Sequence, residues 1–489
     1  MTRASGMPRQ RVRYSTLAAW SALAFLFVSL RSWRLTSYGL WDDEVFSVHA
    51  GQLPWSHLFG SIAADAVHPP LFYVVLKLWM AGGGTSLLWL KLLPLILSFA
   101  ALLPLWLLCR DLHLTPAETT LAFWLITVNG YLIHYSQELR MYSLLMCVSL
   151  WSMWLFLRFL DVEEASFRGL VALLMLNVLL VYTHYFGWLF VGAEWLCVLL
   201  CRPRLLVRFS ISLITLALLF APWAYAVVTV YPSKGNVLPP SLHWISRPGW
   251  AELLWYLATL NGTLPWRHTT PIGLILFGAL IALAFCRSLR NRQPFRQQPA
   301  MVLGVIAFPP ILVAFIASQL MTHSMWGERY LIIVAIPYLL LVAVSLFSVS
   351  LAYLRLALLV LIVTWTGVAA AAGLSSEGGR LPWKSLAQHV IAHEGPSPSH
   401  RHVVVYTFEA WSAGPLDFAF SDLGNHQFDV VVTRPNTMLG QQFWVAFRDT
   451  TLPVDDHPGA MLKRRGCRIE AERSVHDGAQ QVVVFHATC

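Results

Sequence analysis

Charge is what this chain has least of. Only 12% of its 489 residues are Asp, Glu, Lys or Arg, about half the share in a soluble globular protein. A soluble enzyme, a disordered chain and a nucleic-acid binder are all poor readings of that composition. Nucleotide chemistry is missing too: there is no Walker motif and no paired Gly-rich loop. No Cys/His spacing suggests zinc, and cysteine is sparse, with seven in all. Chemistry on a cytoplasmic nucleotide sugar or ATP is therefore not expected. What the chain has is apolar surface, 57% of its residues, and 22 Trp. The net charge of +9 sits in short basic clusters between apolar runs, the pattern of a polytopic membrane protein rather than of a nucleic-acid partner.

A membrane-spanning helix needs roughly 20 mostly apolar residues. Eleven stretches qualify as spans: 15–33, 86–108, 119–135, 141–157, 169–183, 186–200, 208–230, 271–287, 300–320, 330–349 and 354–374. A twelfth, 69–83, opens with Pro-Pro, holds Lys77 and ends in glycines, which suits a re-entrant or interfacial helix. With 69–83 not spanning and the N-terminus cytoplasmic, the cytoplasmic segments hold 15 Lys/Arg in 64 residues and the outer ones 8 in 118. That bias obeys the positive-inside rule; a span at 69–83 would reverse it. Arg31-Ser32-Trp33-Arg34 follows the first apolar run, where a signal peptide would carry small residues for cleavage, so the run reads as the first span.

The tail, 376–489, changes in composition. Strands are predicted at Val403–Thr407, Phe428–Thr433, Phe443–Arg448, Arg468–Ser474 and Gln481–His486, after a helix near Pro382–His393. This reads as a small extracytoplasmic α/β domain. The last two strands join through His476-Asp477-Gly478-Ala479, a hairpin signal. Folding about residue 478 sets Cys467 opposite Cys489 and predicts a disulfide in an oxidising compartment. A one-residue slip would instead leave two free thiols.

Polar groups concentrate in the predicted outer segments. In Leu40-Trp41-Asp42-Asp43-Glu44-Val45-Phe46-Ser47, three adjacent acids can supply a general base or a cation site, or simply serve a helix N-terminus. His68-Pro69-Pro70-Leu71-Phe72-Tyr73 is equally a Pro-initiated helix with an interfacial His. In Tyr135-Ser136-Gln137-Glu138-Leu139-Arg140-Met141-Tyr142, Glu138 and Arg140 are too close to pair along a helix face and should point different ways. Tyr182-Thr183-His184-Tyr185 and Glu328-Arg329-Tyr330 complete the set; a lone His and a helix-opening ion pair are their structural alternatives. Glu194, inside a span, serves as a functional acid or an interhelical hydrogen bond.

Taken in order, these clusters resemble bacterial membrane glycosyltransferases of the family 39 kind, relatives of the protein O-mannosyltransferases and of the aminoarabinose transferase that modifies lipid A. The resemblance covers roughly residues 10–375 and rests on Leu40–Glu44, His68–Tyr73, Tyr135–Tyr142, Tyr182–Tyr185 and Arg329-Tyr330. It implies a GT-C membrane fold in residues 1–375, where the apolar runs give about eleven transmembrane helices and a first outer loop at 34–85; the α/β domain read at 376–489 lies outside the resemblance. It also implies a bacterial inner-membrane enzyme with a cytoplasmic N-terminus and a periplasmic or extracellular tail. Its activity would be inverting transfer of a hexosyl or pentosyl group from a polyprenyl-phosphate donor to a lipid, polysaccharide or protein acceptor.

The family's Asp-Glu pair falls on Asp43-Glu44. Asp43 is then the expected base, with Glu44 or Glu138 orienting the acceptor or sharing a divalent cation. Arg140, Arg329 and Lys77 would bind the donor phosphate, and His68, Tyr73, Tyr142, His184 and Tyr330 the substrates. Should a divalent ion such as Mg2+ or Mn2+ take part, Asp43, Glu138 and His184 are its expected ligands. The competing class is a transporter or flippase of a lipid-linked sugar. Such proteins show paired repeats and broken helices at mid-membrane; this chain shows no such repeat, and its polar groups gather at one face.

Overall fold

The structure, a computed structural model, describes residues 9–161, 167–230, 246–291, 293–375, 382–395, 403–408, 410–433, 442–448, 458–477 and 480–489. It opens with α1 (Arg9–Ser32), α2 (Asp42–Gln52), α3 (Trp55–Asp65), α4 (Leu71–Gly83), α5 (Leu87–Ala100) and α6 (Leu102–Asp111). There follow α7 (Pro116–Val128), α8 (Gly130–Ser136), α9 (Tyr142–Asp161), α10 (Phe167–Thr183), α11 (Gly187–Cys201) and α12 (Leu206–Val230). Then come α13 (Trp250–Asn261), α14 (Thr270–Arg290), α15 (Pro299–Leu320), α16 (Ile332–Phe347) and α17 (Ala352–Ser375). The C-terminal part is α18 (Trp383–Glu394), β1 (Val403–Thr407), α19 (Ala410–Asp422), β2 (Phe428–Val432), β3 (Gln442–Arg448), α20 (Pro458–Arg464), β4 (Arg468–Asp477) and β5 (Gln480–Thr488).

The eleven apolar runs fall on helices, and the chain is a polytopic helical membrane protein with a small C-terminal sheet domain. Among the described residues, seven helices are long and apolar enough to cross a membrane: Leu87–Asp111, Tyr142–Leu160, Pro203–Val230, Thr270–Arg290, Pro299–Leu320, Glu328–Phe347 and Ala352–Leu374. Ala18–Ser32, Leu71–Gly83, Phe167–Thr183 and Gly187–Cys201 are shorter apolar helices. At 1.5 Å per residue, the 13 residues of α4 reach about 20 Å, short of the roughly 30 Å hydrocarbon core.

One run needs correction. The stretch 119–135 is not one helix, because α7 stops at Asn129. The Asn129 side chain accepts the Leu132 N–H and so caps α8, while its Nδ2 donates to the Leu260 carbonyl. A side chain that caps a new helix competes with continuation of the old one. A second correction is α13, which lies in a stretch read from sequence as loop.

The chain divides into two compact units. The first comprises residues 1–33, 54–72 and 94–372; the second comprises 34–53, 73–93 and 373–489. The division differs from a single boundary at 376: two segments of the predicted first outer loop belong with the tail.

In the first unit, α16 is the central helix. Its apolar window is 94% buried, and it packs on α7, α9, α11, α14 and α15. Helices α12, α14 and α17 are peripheral. On α12, Val207, Ile211, Ile214, Leu218, Tyr225 and Val228 face outward, as lipid-facing positions do where the solvent is as apolar as the core. Glu194 is fully buried at the junction of α9, α10 and α11, held by Ser152 Oγ at 2.8 Å and Asn177 Nδ2 at 2.9 Å. It is the interhelical hydrogen bond of the two alternatives.

In the second unit, the tail forms one five-stranded sheet in the order β2-β1-β3-β5-β4. Strand β1 is parallel to β2 and β3, and β5 is antiparallel to β3 and β4. Alternation along β3 splits the core: Trp444 and Ala446 face Trp383, Leu386, Val390, Leu416 and Phe420 of α18 and α19. Phe443, Val445 and Phe447 face the opposite way, with Leu462 of α20. The five predicted strands and the predicted helix before them are present; α19 and α20 are additional.

Cys467 and Cys489 form the predicted disulfide, by a route the sequence arithmetic did not contain. Near the turn, Asp477 pairs with Gln480 and Val475 with Val482, a register that would set Cys467 past the end of the chain. A bulge between Glu470 and Arg473 adds one residue to β4, so that Arg468 pairs with Thr488. Ala471 takes a left-handed conformation there, φ +50°. The Gly478-Ala479 part of the predicted turn lies outside the described residues.

Candidate active site

The sequence-predicted residues fall into two constellations, one in each unit. In the first unit, the segment between α8 and α9 carries Glu138 and Arg140. It turns sharply: the Arg140 N–H bonds the Glu138 carbonyl at 2.7 Å. Gln137 anchors the turn by donating to the carbonyls of Arg31 and Trp33 at 2.8 and 2.9 Å. Arg31 in turn donates to the Ile126 and Thr127 carbonyls, the unpaired end of α7. The two charges part as expected. Glu138 lies 3.7 Å from His134 Nε2, and Arg140 Nη2 lies 3.2 Å from His68 Nδ1.

Around Arg140 the aromatic residues close in. The His68 ring is 5.2 Å from that of His184 and 6.0 Å from that of Tyr330, and His184 is 5.0 Å from Tyr330. Tyr330 and Arg329 sit on the short helical turn Glu328–Leu331 before α16. A Cβ at Gly327 would come within 2.4 Å of the Tyr330 ring, so that ring position requires glycine. Tyr142 opens α9, fully buried, its ring 4.8 Å from Tyr135. His68, Glu138, Arg140 and His184 are also buried.

Hydrogen accounting fixes what the two histidines offer. Arginine can only donate, so His68 Nδ1 accepts from Arg140. His184 Nδ1 likewise accepts, from the Phe186 N–H at 3.1 Å. Burial, then the nearby Arg140 guanidinium, holds His184 down to about 3 and His68 well below the ordinary imidazole value; His184 and Arg329 act in the same direction on His68, and Arg329 on His184. Both rings are therefore neutral at pH 7, and each carries its single proton on Nε2. Those two Nε2 atoms, and the Tyr142 hydroxyl, are buried with no hydrogen-bond partner among the described residues. Three such donors beside two guanidiniums are groups that the oxygens of an anion can satisfy.

The second unit holds the acidic triplet, in the first turn of α2, where backbone N–H groups favour negative charge. Glu44 is almost wholly buried, bound by Lys91 and by the Trp41 N–H at 3.1 Å. Asp42 Oδ2 lies 3.6 Å from Arg448 Nη2. Asp43 is half-buried. Lys77, expected at a phosphate, instead donates to the Gly51 and Leu53 carbonyls at 3.0 and 2.5 Å, the C-terminal end of α2. Tyr73 is buried, its ring edge-on to Phe46 at 6.0 Å.

Sequence reasoning passed over Lys91, Arg31 and Arg448. The first two carried a usable signal, a lone charge within a predicted span; Arg448 did not. Of the expected cation ligands, Glu138 and His184 belong to the first unit and Asp43 to the second. Among the described residues no group of three or more His, Cys, Asp or Glu is arranged to hold a metal ion.

No family model matches the chain, and no curated protein sequence matches it. Solved structures do. ArnT from Cupriavidus metallidurans in the apo state superposes with a TM-score of 0.58 at 14% identity, over 97% of this chain and 98% of that one. ArnT from the same organism bound to undecaprenyl phosphate gives 0.56 at 14% identity, over 96% and 97%. The Archaeoglobus fulgidus oligosaccharyltransferase tethered with an acceptor peptide gives 0.50 at 14% identity, over 83% of this chain and 63% of that one. The fold is the GT-C membrane fold.

Proposed function

We propose that this chain is a glycosyltransferase that moves a sugar from a polyprenyl-phosphate carrier to an acceptor hydroxyl with inversion. The observation that carries the reading is the buried donor set of the first unit: His68 Nε2, His184 Nε2 and Tyr142 Oη beside Arg140 and Arg329. A phosphate diester supplies the oxygens such donors lack. The likeness to an ArnT structure bound to undecaprenyl phosphate supports the same donor class.

The reaction asks little of the protein. The acceptor oxygen attacks the anomeric carbon, and the bond from that carbon to the phosphate oxygen breaks. The hydroxyl proton passes to a carboxylate, and the carrier leaves as a phosphate monoester bearing one more negative charge. Neutral imidazoles and guanidiniums that already donate to the phosphate bind it more strongly as that charge develops. Asp43 is the base of this reading. Glu44 and Lys77 serve structure, since their polar atoms meet Lys91 and the end of α2. Glu138 orients the acceptor. No step above runs through a divalent ion.

In this reading the protein lies in a bacterial inner membrane, with its N-terminus cytoplasmic and its tail outside. Support comes from the Lys/Arg bias of the loops and from the Cys467–Cys489 bridge, which suits an oxidising compartment.

The test uses the purified protein with a polyprenyl-phosphate sugar and, as acceptor, an extract of envelope lipid, polysaccharide and protein, and follows release of polyprenyl phosphate. Asp43→Asn should lower turnover by about three orders of magnitude or more while leaving donor binding within a few-fold. Wild-type protein that binds the donor without releasing carrier, or moves it across a vesicle intact, overturns the enzyme reading in favour of a transporter.

A further inference from the structure

The tail is the part of the chain with no role in the reaction above, yet its described contacts converge on the acidic helix. In α/β sheets, ligands sit outside the carboxyl ends of parallel strands where the strand order reverses. Here the chain leaves β1 through α19 to β2 on one side, and the next strand, β3, pairs on the other. The reversal therefore lies at the carboxyl ends of β1 and β3, and Arg448 is the last residue of β3. Its occupant is the chain's own helix α2: Arg448 meets Asp42 at 3.6 Å, with both side chains less than a fifth exposed. Helix α2 also packs on α19, close enough that a Cβ at Gly414 would come 3.1 Å from Val45 Cγ1.

A second tether reaches the same helix indirectly. Asp422, at the end of α19, accepts the Leu87 N–H at the start of α5 at 3.1 Å and pairs with Lys384 at 3.0 Å. Four residues further along α5, Lys91 binds Glu44.

We infer that Arg448 is a positioning residue for the proposed base. Successive residues on a helix are about 100° apart. Asp42 and Glu44 are thus about 200° apart around α2, drawn to Arg448 on one side and Lys91 on the other, with Asp43 aimed between them. Rotation of the helix about its axis must break one tether or the other. The C-terminal domain is then part of the catalytic apparatus, because it sets the direction of the Asp43 carboxylate. This rests on the transfer reaction proposed above, since it presumes that Asp43 takes the acceptor proton.

The experiment compares Arg448→Ala and Arg448→Lys in the full-length protein with two readouts. The first is sugar transfer. Arg448→Ala should lower kcat about ten- to a hundredfold, the scale of a small misplacement of a reacting group, with the donor KM within twofold. Arg448→Lys should recover most of the rate. In a double-mutant cycle, Asp42→Asn should cost much less in the Arg448→Ala background than in wild type. The second readout is amide hydrogen exchange across α2, which needs no chemistry: Arg448→Ala should speed it and Arg448→Lys should not. Unchanged kcat in Arg448→Ala, multiplicative effects in the cycle, or unchanged exchange overturns the inference. Should wild type transfer no sugar, the glycosyltransferase reading falls on its own. The docking half is then decided by the exchange readout, and the claim about the base falls with the reaction.

Discussion

The guanidinium of Arg140 meets Nδ1 of His68 at 3.2 Å, and this contact dictates which face of the imidazole can act. Arginine cannot accept, so the ring must, and the proton is left on Nε2. His68→Ala and His184→Ala should each raise the donor KM about tenfold, the effect of one lost hydrogen bond to a charged oxygen. Glutamine at either position places an N–H near Nε2 and should stay within a few-fold of wild type. Unchanged donor KM in both alanine variants would move the anion site elsewhere.

The same burial makes stability depend on pH. The unfolded chain binds protons on these two histidines near the ordinary value of about 6.5. The folded protein refuses them until about pH 3 at His184, and until well below 6.5 at His68. Between those limits the unfolded state carries more protons, so stability rises with pH. The contribution is full above about pH 6.5 and is lost as the pH falls toward 3, at up to about 1.4 kcal/mol per pH unit for each group. Thermal unfolding at pH 7.5, 6.0 and 5.0 should show a falling midpoint, and His184→Gln should flatten the fall. A wild-type midpoint that does not change over this range contradicts the neutral assignment.

Lys91 and Glu44 are a buried ion pair. Breaking such a pair from one side costs about 3–5 kcal/mol, because the remaining charge keeps its burial and loses its counter-ion. Lys91→Met should therefore lower thermal stability sharply, and adding Glu44→Gln should restore much of it. If the double variant is no more stable than Lys91→Met, the pair is not what holds α2.

The bridge between Cys467 and Cys489 closes 22 residues of sequence separation. Removing it should cost roughly 2–4 kcal/mol, felt first as fraying of β5. Denatured but unreduced protein should show no labelling of either tail thiol. Reporter fusions check the compartment: one after residue 375 should read extracytoplasmic and one at 290–298 cytoplasmic. The opposite pair of signals overturns the proposed orientation.

Much of the architecture was legible because hydrophobicity is a local property. A run such as 330–349 is apolar on every face, and it became α16, the most buried of the candidate spans. The strands of the tail are short runs rich in β-branched and aromatic residues, and Val403–Thr407 has the same limits in sequence and structure. Glu138 and Arg140 diverge as expected, but in a sharp turn between α8 and α9 and not on a helix, so helix-face spacing was not the reason. Composition likewise placed the chain in a membrane before any fold was considered.

Tertiary structure alone decided the partners. Nothing near Asn129 in the chain announces that its amide will meet Leu260. Lys77 and Lys91 look alike in sequence, each a single lysine in an apolar run; one closes the end of α2 and the other neutralises Glu44. Asp42, Asp43 and Glu44 are three adjacent acids until Arg448 and Lys91 claim the outer two. The disulfide followed from counting, but its register is set by a bulge at Ala471 that the count ignored. The physical reason is common to all of these. Burial preferences act on each residue where it stands, so the sequence records them directly. A charge or an amide is satisfied by whichever group the packed chain brings within about 3 Å, and that group comes from segments tens to hundreds of residues away.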